Sequence, residues 1–346
     1  MADKPTRIKC KVDNHSKLTG QGDTMKILIT GGAGFIGSNL AHYLLALEGE
    51  IMVIDDLSTG YSSNVDPRSV FRKLDILDDA FQDACVEFAP DVVVHLAAQS
   101  SVAIGQSEPE FTRRVNIEGT RRVVEACKAA GVERLVFASS AAVYGTPKEL
   151  PLVENTLLSP DNVYGESKLI GEELIREELE DTDIDYALLR FSNVYGPRQT
   201  AEGEGGVVSC FCEALVDGKL PTIYGDGQQV RDFIYVGDLV QALTWVIGGD
   251  IAFRDFGDKA TETTSDDRGA FNISSGSPIT IEQLLNVLRV PANFGRKAQY
   301  APARAGDIEK SVLSPTKARE AFEWETAIDL SQGLDTTWMW YWRQKQ

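Results

Sequence analysis

Residues 25–56 constrain this chain more than any other stretch. An apolar run at 27–29 reads as a short buried strand, and Thr30-Gly31-Gly32-Ala33-Gly34-Phe35-Ile36-Gly37 follows it. From 35 to 47 apolar residues recur at helical spacing, and a second apolar run at 51–54 ends on Asp55. Strand, glycine turn, helix, strand, acid is the order of a dinucleotide-binding βαβ unit. In that unit Gly31 permits the tight turn, Gly34 lets the backbone approach a pyrophosphate, and Gly37 lets the helix pack close to the strand. The phosphates sit at the helix N-terminus, beside Phe35 and Ile36, where unpaired N–H groups and the helix dipole favour anions. Asp55 lies 18 residues after Gly37, where a carboxylate accepts both ribose hydroxyls. It would repel a 2′-phosphate, so NAD is expected rather than NADP. A glycine-rich turn that binds nothing is the alternative, and it gives the acid no role.

The length of 346 residues suits one large domain or two smaller ones, and 43% hydrophobic with 25% charged residues marks a globular chain. No run approaches the ~18 apolar residues of a membrane helix. Residues 1–24 are polar and lack the apolar segment of a secretory signal, so they read as a disordered extension before Met25, itself a plausible start. The five cysteines, Cys10, Cys85, Cys127, Cys210 and Cys212, form no Cys-x-x-Cys pair, and there are three histidines. Neither a metal site nor a disulfide framework is expected, which fits a reducing cytoplasm. A net charge of −18, from 34 basic and 52 acidic residues, argues against nucleic acid and anionic membranes as partners. The acidity reads as a solvated face, or as adaptation to a salt-rich cytoplasm.

Along the chain, Asp56-Leu57-Ser58-Thr59-Gly60 forms a loop at the adenosine end. Residues 70–74 read as a third strand, followed by Asp75 and Ile76. Asp75 can accept from the adenine amine, or cap a helix over 77–88. Residues 92–96 read as a fourth, apolar strand, with His95 packed inside it. Beyond Leu96, the small Ala97 and Ala98 leave room for a ribose or nicotinamide. A long helix is expected over 109–130, stopped by Gly131, then a fifth strand over 134–138 ending in Ser139-Ser140-Ala141-Ala142-Val143-Tyr144-Gly145. Serines at the carboxyl end of such a strand lie where open α/β sheets bind ligands. Tyr164-Gly165-Glu166-Ser167-Lys168 then opens a helix running to about 180. Tyr and Lys at i and i+4 share one helix face. An ammonium near a phenol favours the phenolate and draws its pKa down from about 10, giving a usable general base. An ordinary surface Tyr/Lys pair would look the same in isolation.

Taken together these pieces resemble the extended short-chain dehydrogenases/reductases, and within them the NAD-dependent nucleotide-sugar epimerases. The resemblance rests on the glycine turn, the 55–60 segment, His95-Leu96-Ala97-Ala98, the 139–145 segment and Tyr164-x-x-x-Lys168. Further on it rests on Arg190-Phe191-Ser192-Asn193-Val194-Tyr195-Gly196-Pro197-Arg198-Gln199 and Val230-Arg231-Asp232-Phe233, in the family's order from 25 to about 313. It implies a doubly wound parallel Rossmann sheet with a smaller C-terminal α/β substrate-binding lobe. The NAD-binding part would span 25–195, with 232–250 and about 270–274 returning to it. The lobe would span 196–231 and 275–346, and 251–269 reads as an acidic exposed insertion.

The resemblance also implies roles. Tightly bound NAD would meet Gly31, Gly34, Phe35, Ile36, Gly37, Asp55, Asp56, Asp75, Ile76, Leu96, Ala97, Ala98, Asn116, Ser139, Tyr164 and Lys168. A nucleotide-sugar would meet Ser140, Asn193, Val207, Thr222, Tyr224, Arg231, Arg304 and Asp307. The implied reaction inverts C4 of the hexose: Tyr164 takes the 4-OH proton, hydride passes to NAD⁺ and back, Ser140 bonds the same oxygen, and Lys168 holds the nicotinamide ribose. Dehydratases of this family carry an Asp-Glu pair after the strand-end hydroxyl, and decarboxylases a Glu. Ala141-Ala142 supply neither acid, so epimerisation is expected over 4,6-dehydration or glucuronate decarboxylation, with a UDP-glucuronate epimerase as a further alternative. Ser311 falls where a small residue would admit an N-acetyl group. The helices over 109–130 and 164–180 would pair with their copies in a homodimer. An NAD-sensing protein on the same fold would need none of Tyr164, Lys168 and Ser140.

Overall fold

The computed structural model describes residues 24–146, 149–201, 206–303 and 308–346. Apart from Thr24, the expected N-terminal extension lies outside these residues, as do Arg304 and Asp307.

Seven parallel strands form the main sheet in the order β10-β6-β5-β4-β1-β2-β3. These are β1 (Lys26–Thr30), β2 (Glu50–Asp55), β3 (Val70–Lys73), β4 (Val92–His95), β5 (Arg134–Ser140), β6 (Asp185–Phe191) and, far along the chain, β10 (Ala270–Ile273). Ile27, Leu28, Ile29, Val93 and Val94 are completely buried, because helices cover both faces of the sheet. Among these are α1 (Phe35–Ala46), α2 (Ala80–Phe88), α5 (Gly119–Ala130) and α6 (Val163–Leu179), with the short α3 (Val102–Ser107) and α4 (Pro109–Arg113) packed on α6. The chain builds outward from β1 to β3, crosses back to β4 beside β1, and builds the other way. That reversal between β1 and β4 is where such sheets leave a crevice at their carboxyl ends.

The second layer of structure gathers in the later chain. Strands β7 (Asn193–Tyr195), β9 (Val230–Tyr235), β11 (Pro278–Thr280) and β13 (Lys310–Ser311) form one small sheet, and β8 (Thr222–Tyr224) pairs with β12 (Gln299–Ala301). Of the later helices, α7 (Val207–Val216), α9 (Ile281–Leu288) and α11 (Leu330–Gln344) pack on these strands, while α8 (Val236–Gly248) and α10 (Thr316–Phe322) join the hydrophobic core of the main sheet. Phe211, Leu215, Leu284, Leu288, Leu334, Trp338 and Tyr341 make the shared core of α7, α9 and α11. Of the C-terminal aromatics, Trp338 and Tyr341 are buried while Trp342 stays 45% exposed.

Several local expectations change. The helix expected over 109–130 is broken by a π turn, Arg114–Glu118, of the kind that often marks a functional site. Strand β5 runs on through Ser139 and Ser140, because both pair with β6, opposite Arg190 and Phe191. Asp75 caps no helix. Its Oδ1 accepts from the Leu77 amide at 3.0 Å, which turns the chain, and α2 begins only at Ala80. The 251–269 segment is continuously exposed only over 257–263 and is anchored on either side of that stretch. Phe253 is wholly buried, the Arg254 guanidinium donates to the carbonyls of Glu180, Thr182 and Ile184, and Asp267 accepts from Lys317 Nζ at 2.7 Å.

Candidate active site

A cleft of about 430 Å3 opens at the crevice between β1 and β4. Its wall includes Gly31, Gly34, Phe35, Ile36, Gly37, Asp55, Asp56, Asp75, Ile76, Leu96, Ala97, Ala98, Ser139, Tyr164 and Lys168. Residues read from distant parts of the sequence thus come to one surface. Gly31 has φ +70°, and a Cβ there would lie 2.7 Å from the Ala97 amide nitrogen, so only glycine lets the turn approach the end of β4. A Cβ at Gly34 would meet only the Gly31 carbonyl within contact range, at 3.2 Å. The rest of its surroundings is open, a cradle with room for a pyrophosphate.

Asp55 is 7% exposed. Its Oδ2 accepts from the Ala33 amide at 2.9 Å and its Oδ1 from the Leu57 amide at 2.8 Å. These backbone hydrogen bonds hold the loop in shape, and the carboxylate's remaining acceptor capacity faces the cleft. Burial raises its pKa, and Asp56 adds to the rise against the backbone hydrogen bonds. Gln99 and Gln199 also line the cleft, and each has a buried Oε1 with no hydrogen-bond partner among the described residues. Orphan acceptors of this kind suit a polar ligand. The cradle, the acid and the orphan acceptors all fit an NAD molecule.

Asn116 does not face the cleft. It is buried in the π turn, where its Oδ1 accepts from the Gln99 amide at 2.8 Å and its Nδ2 donates to the Gln99 carbonyl and Ser167 Oγ, each at 2.9 Å. Its side chain braces the loop that bears Ala98 and Gln99, and a cofactor would feel it through that loop. Ser140 also lies off the wall of this cleft, its Oγ accepting from the Ala142 amide at 3.1 Å. A Cβ at Gly165 would sit 2.5 Å from the Ala142 carbonyl oxygen, so the turn after Ser140 and the turn bearing Tyr164 touch backbone to backbone.

Tyr164 and Lys168 occupy the first two turns of α6, whose start Asn162 caps by accepting from the Gly165 amide. Lys168 is 4% exposed. Its Nζ donates to the Ala138 carbonyl at 2.8 Å and lies 5.9 Å from the Tyr164 ring centre. Burial, with the Lys168 charge beside it, pushes His95 down to about 3. Its ring is held neutral between Thr30 Oγ1 at 2.8 Å and Thr120 Oγ1 at 3.1 Å, a packing role rather than a proton-transfer one.

The sequence reading passes over what stands behind Lys168. Glu172 and Arg190 are completely buried and form a bidentate pair, with Arg190 Nε to Oε1 at 2.8 Å and Nη2 to Oε2 at 2.7 Å. Ser139 Oγ donates to Glu172 Oε1 at 2.6 Å. Arg190 Nη1 also reaches Tyr144 Oη at 3.0 Å and the Glu154 carbonyl at 2.7 Å, and the Tyr144 hydroxyl donates to Asn272 Oδ1 at 2.7 Å. Burial would raise Glu172, but Arg190, then Arg176 and Ser139, hold it down to about 2. The signal was present in the spacing, since 164, 168, 172 and 176 form one i, i+4 stripe along α6.

The residues expected to meet the sugar nucleotide lie apart from this cleft wall. Asn193 on β7 is exposed and its Nδ2 donates to the Asp232 carbonyl at 3.2 Å. Arg231 on β9 donates to the Val230 carbonyl at 2.9 Å, Thr222 and Tyr224 belong to β8, and Val207 opens α7. Asp232 ties this region to the main sheet, accepting from Ser275 Oγ at 2.6 Å in the loop after β10. Among the described residues no cluster of side chains could hold a metal, and no helix is long and apolar enough to cross a membrane.

Comparisons with known proteins agree with this geometry. The profile of the NAD dependent epimerase/dehydratase family matches residues 27–251. A UDP-glucose 4-epimerase of Mycolicibacterium smegmatis is 35% identical over 319 residues, covering 90% of this chain and 97% of that protein. The crystal structure of Thermus thermophilus UDP-glucose 4-epimerase in complex with NAD superposes with a TM-score of 0.82 at 35% identity, covering 92% of this chain and 99% of that one. The UDP-N-acetylglucosamine 4-epimerase of Methanobrevibacter ruminantium, in complex with UDP-N-acetylmuramic acid, gives a TM-score of 0.83 at 29% identity over 92% of this chain and 99% of its own.

Proposed function

Since the chain belongs to the NAD-dependent epimerase/dehydratase family, we propose that it inverts C4 of a nucleoside-diphosphate hexose, UDP-glucose and UDP-galactose first, through a 4-keto sugar. When bound, NAD supplies a reversible hydride acceptor for C4. Tyr164, as phenolate, takes the 4-OH proton and returns it. Lys168 keeps a positive charge beside the phenol, and Ser140 hydrogen-bonds the reacting oxygen. The observation that carries this reading is the Tyr164–Lys168 pair at the cleft, facing a strand end whose next residues are Ala141 and Ala142. With no acid or base there, elimination and decarboxylation lack a group to perform them.

In this reading residues 25–195 hold the cofactor, with 232–250 and 270–274 completing that unit, and 196–231 and 275–346 hold the nucleotide and sugar. Arg231 and Asn193 face the substrate diphosphate, flanked by Val207, Thr222 and Tyr224. Ser311, paired with Arg231 across β13 and β9, is small enough to leave space for a 2-N-acetyl group. The helix surfaces of α4, α5 and α6 form a homodimer contact, on which Phe111 is 39% exposed, and the enzyme works in the cytoplasm. Gel filtration at the mass of a 37.9 kDa monomer would remove the dimer.

Proton NMR of the protein with UDP-glucose and no added reductant tests the activity. A glucose/galactose mixture is expected with wild type and not with Tyr164→Phe. The same experiment with UDP-N-acetylglucosamine tests the Ser311 assignment. A 4-keto-6-deoxy product would overturn the reading in favour of dehydration.

A further inference from the structure

The cleft presents three acids, Asp55, Asp56 and Asp75, and three cations, Arg114, Lys168 and Arg198. A dinucleotide brings two further negative charges on its pyrophosphate, into a protein of net charge −18. Lys168 is committed to the Ala138 carbonyl, on the tyrosine side of the cleft. Arg114 is exposed, its guanidinium lying over the Phe111 ring at 5.9 Å. Arg198 is different. Its Nη1 donates to the Ser38 carbonyl at 2.9 Å, in the helix whose N-terminus receives the phosphates. The 196–199 turn is fastened there, since Asn39 Nδ2 donates to both the Phe35 and Pro197 carbonyls, at 2.8 and 3.1 Å. From the other side the Tyr341 hydroxyl donates to the Gln199 carbonyl.

Arg198 holds a left-handed backbone, φ +73°, which a non-glycine residue adopts at an energetic cost and which tends to persist at functional sites. Among the described residues it has no carboxylate in ion-pair contact, and burial weakens its hold on its proton, with distant Asp66 the only charge working the other way. A half-buried guanidinium has five donors, and one is spent on Ser38. We propose that Arg198 is the cation of the cofactor site, its guanidinium joining the first turns of α1 to the pyrophosphate of the bound dinucleotide. The proposal rests on the dinucleotide reading of the glycine turn. It adds that backbone N–H groups alone do not hold the dianion in this acidic chain. Arginine suits the position because its planar fork meets phosphate oxygens two at a time.

The test is dinucleotide retention and binding, with no turnover involved. NAD released on denaturation is quantified for wild type, Arg198→Ala and Arg198→Lys, and calorimetry measures ADP-ribose and UDP separately. Loss of a charge-assisted contact predicts ADP-ribose binding about ten- to a hundredfold weaker in Arg198→Ala, with Arg198→Lys between the two. UDP binding should change less than about twofold, since it belongs to the other lobe. The ADP-ribose loss should also shrink at high salt, which screens the wild-type contact. ADP-ribose binding equal to wild type in Arg198→Ala overturns the proposal, as does a loss confined to UDP. If Arg198→Ala does not fold, Arg198→Lys decides by the same pair of ligands. If wild type itself holds no NAD and binds no ADP-ribose, the failure lies in the dinucleotide reading.

Discussion

At the scale of single residues, chemistry and support are divided between neighbours. Ser140 was read as the reacting-oxygen partner, while Ser139 beside it hydrogen-bonds Glu172. Alternation along β5 sends the two side chains to opposite faces. Asp55 combines both duties, holding Ala33 and Leu57 while lining the cleft. Asp55→Asn should therefore lower the preference for NAD over NADP about ten- to a hundredfold, because the charge that repels a 2′-phosphate is gone. It should also cost about 1 kcal/mol of stability, since its NH2 faces one of two backbone donors. Equal ratios of the two dissociation constants in mutant and wild type would remove Asp55 as the selector. Residues like Asp55, Tyr164 and Lys168 were legible because their chemistry is tied to short spacings. That Asn116 holds the Gln99 backbone was not legible, because no spacing reports that contact.

At the scale of elements, α6 is the structural spine of the site. Its stripe begins with Tyr164 and Lys168 at the cleft and continues through Glu172, which bonds Arg190 of β6 and Ser139 of β5. Removing one partner leaves the other charged and buried, so Glu172→Gln and Arg190→Met should each destabilise the protein by about 3–5 kcal/mol. Chemical denaturation measures this, and a loss below about 1 kcal/mol would show that the pair is not structural. The pair also sets a pH dependence. Glu172 sits at about 2 against an ordinary value of 4.5. A depressed carboxylate contributes fully above its unfolded pKa and loses that contribution as pH falls towards the folded one. Acid unfolding between about pH 4.5 and 2 should therefore be less steep in Glu172→Gln, and an unchanged acid transition would contradict it. The main helices and strands were legible from periodicity. The late end of β5 and the π turn were not, because pairing with β6 and the hydrogen bonds of Asn116 decide them.

At the scale of the whole molecule, charge and the order of the chain matter most. A net charge of −18 repels itself in the compact state. The melting temperature should rise by several degrees between about 0.02 and 1 M KCl, as the screening length falls from tens of ångströms to about 3 Å. A flat or falling melting curve would mean that the acids are already well balanced locally. Burial raises the buried acids Asp55, Glu154, Asp232 and Asp238. The stability linked to them falls as pH rises through their folded pKa values, the opposite sense to Glu172. Fold class and cofactor were legible in the first half of the sequence, where the motifs are contiguous. The lobe was legible only through the family resemblance, since β7, β9, β11 and β13 are too short and scattered to show as a pattern. Strand β10 has a further consequence for how the protein is made. It pairs with β6, and its Asn272 receives the Tyr144 hydroxyl and donates its amide N–H to Glu154, yet it leaves the ribosome long after both. A nascent chain that already displays Tyr164 and Lys168 still has one raw sheet edge and an unfinished floor beneath Arg190. A premature stop before Ala270 would release a polypeptide with its reacting pair intact and its foundation open, material for the quality-control proteases rather than a slow enzyme.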